Sequence, residues 1–501
     1  MQSFDVLVVG GGVNGAGIAR DLSGRGYSVI LAEQGDLAQA TSSSSSKLIH
    51  GGLRYLEHYE FRLVREALAE REVLLKMAPH IIWPLRFVLP HRPEMRPRWM
   101  IRAGLFLYDN LARRVSLPGA QSFLTSQEAM GAALKSEITH AFAYSDAWVE
   151  DSRLVLLNAL DAKRRGADIR TRTRFEEATR HPGHWEVTLR GPEALGQHIH
   201  VRGIVNAAGP WVQRALDCTH TERPGAVRLI RGSHIVLPRL YEGNHAFILQ
   251  NDDRRVVFVI PYEDEFSLIG TTDVPHEGDA ATAHCTPEEA EYLCAAVSRQ
   301  FSRQITPADI VWSYSGVRPL FDDGADDPSA VTRDYVLKLD DSAAPLLSIY
   351  GGKITTFRRL AEEATSRIAK ALGREGTPWT AGATLPGGDL GGKTREAFAA
   401  EMTRALPFLD PASIPRLVRT HGGELPGVFA GGDAGQALGA GLTEAELDWM
   451  RREEWARAAD DVLWRRTKLG LHMTPPERDG VAARFDDGNA LAGPGLLSAQ
   501  P

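Results

Sequence analysis

The sequence predicts an α/β fold, α+β overall, in which a parallel-sheet domain carries an inserted antiparallel-sheet domain and is followed by a helical C-terminal domain. Three observations predict it. The apolar strand Val6 to Val9 runs into glycines at 10, 11, 12 and 15, then a helix, Ala16 to Ser23, and a second strand, Tyr27 to Ala32, together one βαβ unit. Between residues 228 and 275 β-branched residues are frequent, and Val256 to Ile260 and Phe266 to Ile269 flank Glu263-Asp264-Glu265 as an antiparallel hairpin. Beyond Pro386-Gly387-Gly388 the pattern changes to helices separated by glycine-rich turns.

The remaining elements follow in order. A serine run, Thr41 to Ser46, leads into Lys47-Leu48-Ile49-His50-Gly51-Gly52 and is expected to be a loop hugging a cofactor rather than a linker. Phe61, Val64, Leu68 and Leu75 recur at helical spacing from Phe61 to Met77, which gives an amphipathic helix, and Val149 to Ala167 repeats the pattern. Trp185 to Leu189 and His198 to Val205 read as strands, as does Leu346 to Tyr350, which meets Gly351-Gly352-Lys353 and a helix from Thr355 to Ala371. The expected domains are a discontinuous cofactor domain over 1–75, 145–210 and 335–385, a substrate domain over 76–144 and 211–334, and a helical domain over 386–501.

Composition narrows the function. The 501 residues are 43% hydrophobic and 24% charged, as in globular proteins, and the 48 glycines exceed the norm of about 7%. A net charge of −7 provides no basic field for nucleic acid. Cys218, Cys285 and Cys294 are too few and too scattered for a disulfide framework or a four-ligand zinc site, so a reducing compartment and no metal are expected. No basic leader precedes the first strand, and no run reaches the roughly 18 uncharged apolar residues of a membrane span.

Gly10-x-Gly12-x-x-Gly15, between a strand and a helix, lets backbone approach a pyrophosphate whose charge the helix N-terminus holds. This makes the first domain Rossmann-like. Glu33, 18 residues after Gly15, stands where an acid accepts from an adenosine ribose and would repel the 2′-phosphate of NADP. Gly351-Gly352-Lys353, far along the chain at a helix start, favours extended FAD over NAD. The helix dipole and the Lys353 charge there would stabilise negative charge on the reduced ring.

At this point the chain resembles a known family, the FAD-dependent, membrane-associated glycerol-3-phosphate dehydrogenases, over nearly its whole length. The resemblance rests on Gly10 to Asp21 with Arg25-Gly26, on Ser45 to Glu57, on Ser315-Gly316-Val317-Arg318-Pro319-Leu320, on Thr332-Arg333-Asp334-Tyr335 and on Gly351 to Arg358. The last has Phe357 where the family usually shows Tyr, which removes one ring hydrogen bond. The resemblance implies oxidation of sn-glycerol 3-phosphate to dihydroxyacetone phosphate, with electrons passing through non-covalent FAD to a membrane quinone. It further implies FAD contacts from Gly10, Gly12, Asn14, Gly15, Glu33, Thr41, Ser42, Ser46, Lys47, Leu48, Ala208, Gly209, Gly352, Lys353, Ile354 and Thr355.

A phosphate dianion needs fork-shaped cations. Arg54, Arg318 and Arg333 are the candidates, with Tyr55 and Thr271 adding neutral hydrogen bonds. The hydroxyl proton needs a base, and His50 and His234 are equal candidates, with Arg318 polarising the hydroxyl and Lys353 serving the flavin. In segment 92–114, Met100, Gly104, Leu107 and Leu111 share one side of a helical wheel, with Ile101, Leu105 and Tyr108 adjacent. Arg92, Arg96, Arg98 and Arg114 flank it, so an anionic-membrane face is expected. The implied location is the inner face of a bacterial cytoplasmic membrane, peripherally bound, with a C-terminal domain that is structural or forms a homodimer. Three rivals remain: an oxygen-using glycerol-3-phosphate oxidase, an amine or amino-acid oxidase of the same fold, and a binding module that has lost FAD.

Overall fold

The computed structural model describes residues 2–53, 56, 59–112, 115, 117–192, 194–223, 225–253, 255–322 and 334–485. Arg54, Tyr55 and Arg333, expected at the substrate, and Arg113 and Arg114 of the membrane segment lie outside the described residues.

Strand residues with apolar side chains on both faces build the first sheet. Its spatial order is Val336–Asp340, Leu346–Tyr350, Ala194–Asn206, Gln2–Val9, Val29–Ala32 and Asp168–Arg170. All neighbours are parallel except the first pair. Val6 and Val8 face a core shared with the helices Val13–Gly24, Asp151–Arg164 and Phe357–Ala371. Leu7 and Val9 face the opposite core, covered by the antiparallel strands Arg174–His181 and His184–Gly191.

The second sheet has ten strands and contains the expected hairpin, with Val259 opposite Ile269 and Tyr262 opposite Phe266. Two differences from the sequence reading concern local length. Leu48–Ile49, expected within a loop, is a two-residue edge strand against Trp148 and Ala147. The strand His140–Val149 runs through the boundary drawn at 144/145, and the following helix starts at Asp151. The helix Pro287–Ser298 covers one face of this sheet, and the helices Phe61–Met77 and Arg98–Asn110 cover the other.

The last of these helices corrects the wheel. Leu105 and Tyr108 are buried, and Leu111, expected on the free face with Met100 and Leu107, packs against the same core. Met100 and Leu107 are exposed as expected, and Trp99 and Phe106 stand out beside them, 70% and 71% exposed, because the sheet claims the side of Leu105 and Tyr108. Arg92 is paired with Asp252 at 2.7 Å. Among the described residues no helix is long and apolar enough to cross a membrane.

Helices including Arg395–Ala405, Ile414–His421 and Glu444–Glu453 form the C-terminal domain with their own apolar clusters. A buried clamp fastens it to the first sheet: Asp36 accepts from Arg465 Nε at 2.6 Å and from Arg466 Nη2 at 2.8 Å. Burial pushes the Asp36 carboxyl up, but the two guanidiniums outweigh it and bring the pKa down to about 2. A carboxylate depressed in this way stabilises the fold above its ordinary value of 3.8, and that stability is lost as pH falls through about 2. Asp36→Asn is expected to cost about 3–5 kcal/mol, since it strands buried charge. A urea midpoint for the variant equal to the parent's at pH 7 would remove the clamp from the account.

Candidate active site

The glycine turn is dictated by close approach. A Cβ at Gly15 would lie 1.9 Å from Gly10 O, so helix Val13–Gly24 can start here only with glycine. Gly12 caps that helix without a side chain, and Ser42 Oγ accepts from Val13 N at 3.0 Å. The Glu33 carboxylate accepts from Gly11 N at 2.6 Å and Gly35 N at 2.7 Å, which fixes it beside the turn. Burial nonetheless raises its pKa against those two amides. Asn14 Nδ2 donates to Gly351 O at 3.2 Å, joining the first glycine turn to the late one, and Asn14 Oδ1 is buried without a partner.

At the late turn, Gly351, Gly352 and Lys353 lead into a short turn, Ile354–Thr356, and the helix begins at Phe357 rather than Thr355. Thr355 Oγ1 accepts from His50 N at 3.2 Å, so His50 sits at this turn. Phe357 is wholly buried and packs against Gly17, an apolar setting that suits the ring without a hydroxyl. Ala208 and Gly209 follow the strand Ala194–Asn206, with Ala208 N donating to Asn206 Oδ1 at 3.3 Å.

Across the second sheet, Phe258, Gly270, His234 and Tyr314 are register partners and make one row. Loop 41–50 lies over that row. Ser46 Oγ meets His234 Nε2 at 2.9 Å, the Lys47 ammonium lies 5.3 Å above the Tyr314 ring, and the His50 and Phe258 rings are 6.3 Å apart. A Cβ at Gly270 would come within 2.1 Å of the His234 ring, which makes the glycine obligatory. Burial, with Lys47 and Arg318 nearby, drops the His234 pKa to about 3, so its imidazole is neutral.

The serine run, expected to hug a cofactor, has its side chains largely spent on the protein. Thr41 Oγ1 donates to Val317 O at 2.6 Å. The ammonium of Lys47, expected to serve FAD, is buried on Asp151 Oδ1 at 2.7 Å and Ser43 O at 3.1 Å. Leu48 is a core residue of the second sheet.

Arg318 and Thr271 come together. Arg318 Nη2 donates to Thr272 O at 3.2 Å and to Asp273 Oδ1 at 3.1 Å, and a Cβ at Gly232 would touch both Thr271 Oγ1 and Arg318 Nη2. Behind them lies a network the sequence reading missed. Glu289 Oε1 accepts from Thr272 Oγ1 at 2.6 Å and Ser233 Oγ at 2.9 Å, and Arg231 closes the other carboxylate oxygen at 3.0 Å. The only local signal was the Thr286-x-x-Glu289 capping box, which is also real.

A glycine cradle closed by backbone, an acid held at its rim, and an unpartnered amide oxygen between two helix-starting turns fit an extended dinucleotide such as FAD. The FAD dependent oxidoreductase (DAO) family profile matches residues 5–358, and the chain belongs to that family. Its cofactor is FAD. The chain is 52% identical over 484 residues to the glycerol-3-phosphate dehydrogenase of Pseudomonas aeruginosa, covering 95% of this chain and 94% of that one. It is 47% identical over 498 residues to the D-erythritol 1-phosphate dehydrogenase of Brucella abortus, covering 98% and 99%. The solved glycerol-3-phosphate dehydrogenase of Bacillus halodurans complexed with FAD aligns with a TM-score of 0.75 at 25% identity, over 97% of this chain and 94% of that chain.

Gly15→Ala is expected to yield colourless protein, because the methyl must displace the turn that receives the pyrophosphate. A yellow variant with the parental flavin content would show that the turn can yield.

Proposed function

We propose that this enzyme oxidises the secondary alcohol of sn-glycerol 3-phosphate, giving dihydroxyacetone phosphate, and passes the electrons to a membrane quinone. The observation that carries the reading is Arg318, a guanidinium held by Thr272 O and Asp273 yet 40% exposed, set beside Thr271 and the His234 row in a chain so similar to glycerol-3-phosphate dehydrogenases. FAD, when bound, supplies the two-electron acceptor for the hydrogen at C2.

The residues divide the remaining work. Arg318 presents directed hydrogen bonds to an oxyanion or hydroxyl, which a point charge cannot copy. Arg54 and Arg333 complete the phosphate clamp on the strength of the resemblance. His50 takes the hydroxyl proton: it is half-buried, whereas His234 is 3% exposed and already engaged with Ser46. Burial pushes the His50 pKa below its ordinary 6.5, with Asp146 opposing and Lys353 adding to the shift, so the imidazole is a free base at neutral pH. His234 then positions the loop.

His50→Asn should lower kcat by about 10²–10⁴-fold, and His234→Asn by less. The parent's kcat/KM should fall with acid only below pH 6.5, where His50 becomes protonated. Arg318→Lys should cost about 10- to 150-fold in kcat/KM, the worth of one charged hydrogen bond. The deciding measurement is an anaerobic titration of flavin absorbance. Glycerol 3-phosphate should bleach it at lower concentration than D-erythritol 1-phosphate, and the reverse order would reassign the substrate to the longer polyol phosphate named for the Brucella relative.

The quinone reading needs a membrane face, and the helix Arg98–Asn110 offers it. Trp99, Met100, Phe106 and Leu107 are exposed on it, with Tyr59 and Phe61 also exposed nearby in sequence order to the active-site loop. The helix is wired to that loop, since Gly51 N donates to Tyr108 Oη at 2.8 Å. Phe106→Asp with Leu107→Asp should release a flavin-loaded enzyme from anionic vesicles while dye reduction persists. Continued pelleting and quinone activity would move the membrane face elsewhere.

A further inference from the structure

On the outer side of the first sheet, away from the glycine turns, three antiparallel strands gather three imidazoles and a carboxylate. His181 ends the strand Arg174–His181, His184 opens His184–Gly191 across Pro182-Gly183, Glu186 lies two residues further, and His200 belongs to Ala194–Asn206. Register pairs His181 with His184 and Glu186 with His200. Cross-strand partners and alternate residues share a face, so all four project the same way. Trp185 and Val187 take the opposite face and are buried in the core.

The candidate ligand atoms are close enough to be drawn onto a common centre. One ligand atom from each of His181, His184 and Glu186 lies within 4.8 Å of the others. His181 Nε2 is 3.5 Å from Glu186 Oε2, and His200 Nε2 is 3.5 Å from Glu186 Oε1. Both imidazole nitrogens are shielded from solvent and make no hydrogen bond. A hydrogen-bonded pair closes to about 2.7–3.2 Å, whereas tetrahedral bonds of about 2.0–2.2 Å leave neighbouring ligands about 3.3–3.6 Å apart. The His181 and His184 ring centroids are 4.9 Å apart with planes 12° from parallel, so a turn of one ring brings both nitrogens onto one ion.

We propose that His181, His184 and Glu186 bind a divalent cation of the zinc class, with His200, 3.5 Å from the second oxygen of Glu186, placed to close a hydrogen bond on it when the ion is bound. Two nitrogens and one carboxylate oxygen suit a borderline-soft ion rather than calcium or magnesium. The bound ion staples the turn at Pro182-Gly183 to the strand it precedes. The site lies apart from Arg318 and His50, so it serves the stability of the sheet and not the oxidation. Three protein ligands leave one position for water.

The test uses tag-free, flavin-loaded enzyme stripped with a chelator and titrated with Zn²⁺ against a chromophoric competitor. One equivalent should bind. His184→Ala and Glu186→Gln should each weaken binding at least 100-fold, and His200→Ala about 10-fold, the usual effect of losing a group that orients a ligand. Flavin content and alcohol oxidation should be unchanged in all three, which verifies that they fold. Co²⁺ should give the intense visible bands of a four-coordinate site in the parent and lose them in His184→Ala. Absence of stoichiometric binding, or equal affinity in the parent, His184→Ala and Glu186→Gln, would overturn the assignment.

Discussion

The buried ion pair between Lys47 and Asp151 holds the two sheets of this enzyme in working relation. Both side chains are fully shielded and their charged atoms are 2.7 Å apart. Either charge alone would be untenable there, since stranding one costs several kcal/mol. Asp151 opens the helix Asp151–Arg164, where the helix dipole favours an acid, and it also accepts from Ser45 N and Ser45 Oγ. Burial raises its pKa, yet Lys47 and Lys468 carry it below the ordinary carboxylate value. The helix belongs to the first sheet and the loop lies on the second, so this one contact fixes how the two sheets meet. Tyr314 Oη, donating to Ser45 O at 2.8 Å, secures the loop from the other side.

The parts of the fold that could be read from the sequence are those whose causes are local. The strand, glycine turn and helix at Gly10 to Gly15 follow one another within a few residues, and the helix over Phe61–Met77 carries its own apolar stripe. The local setting of a candidate residue was legible where its neighbours in sequence set it: Glu33 closes on the amides of Gly11 and Gly35, and Gly351-Gly352-Lys353 leads into a helix start. It was not legible where the task is set by a distant partner. The ion pair of the Lys47 ammonium could not be foreseen, because its acid, Asp151, is 104 residues away. Glu289 reads as a helix cap, and its second task depends on Thr272 and Ser233 arriving from other strands. The wheel over 92–114 found an amphipathic helix but could not say which side the sheet would claim.

The row Phe258, Gly270, His234 and Tyr314 shows how strand register can set side chains in line beneath a loop. Hydrogen-bonded register sets the lateral order of the four residues, and the His234 ring lies over the space a Gly270 side chain would need. Loop 41–50 then takes its contacts from that order. Ordinary packing rules thus place a neutral imidazole, an aromatic platform and a second histidine along one line, and Glu289 steadies the adjacent Thr271 to Asp273 segment, which accepts hydrogen bonds from Arg318.

The joint between Asn14 and Gly351 has a consequence for biosynthesis. Its two halves are 337 residues apart in the chain, and the strand Leu346–Tyr350 pairs with Ala194–Asn206 in the middle of the first sheet. At roughly 5–20 residues per second on the ribosome, the late turn emerges about 17–70 s after the first. Throughout that interval the nascent polypeptide presents an open sheet edge and half a dinucleotide cleft. The joined pair of glycine turns therefore comes into being only once nearly three-quarters of the polypeptide has been made.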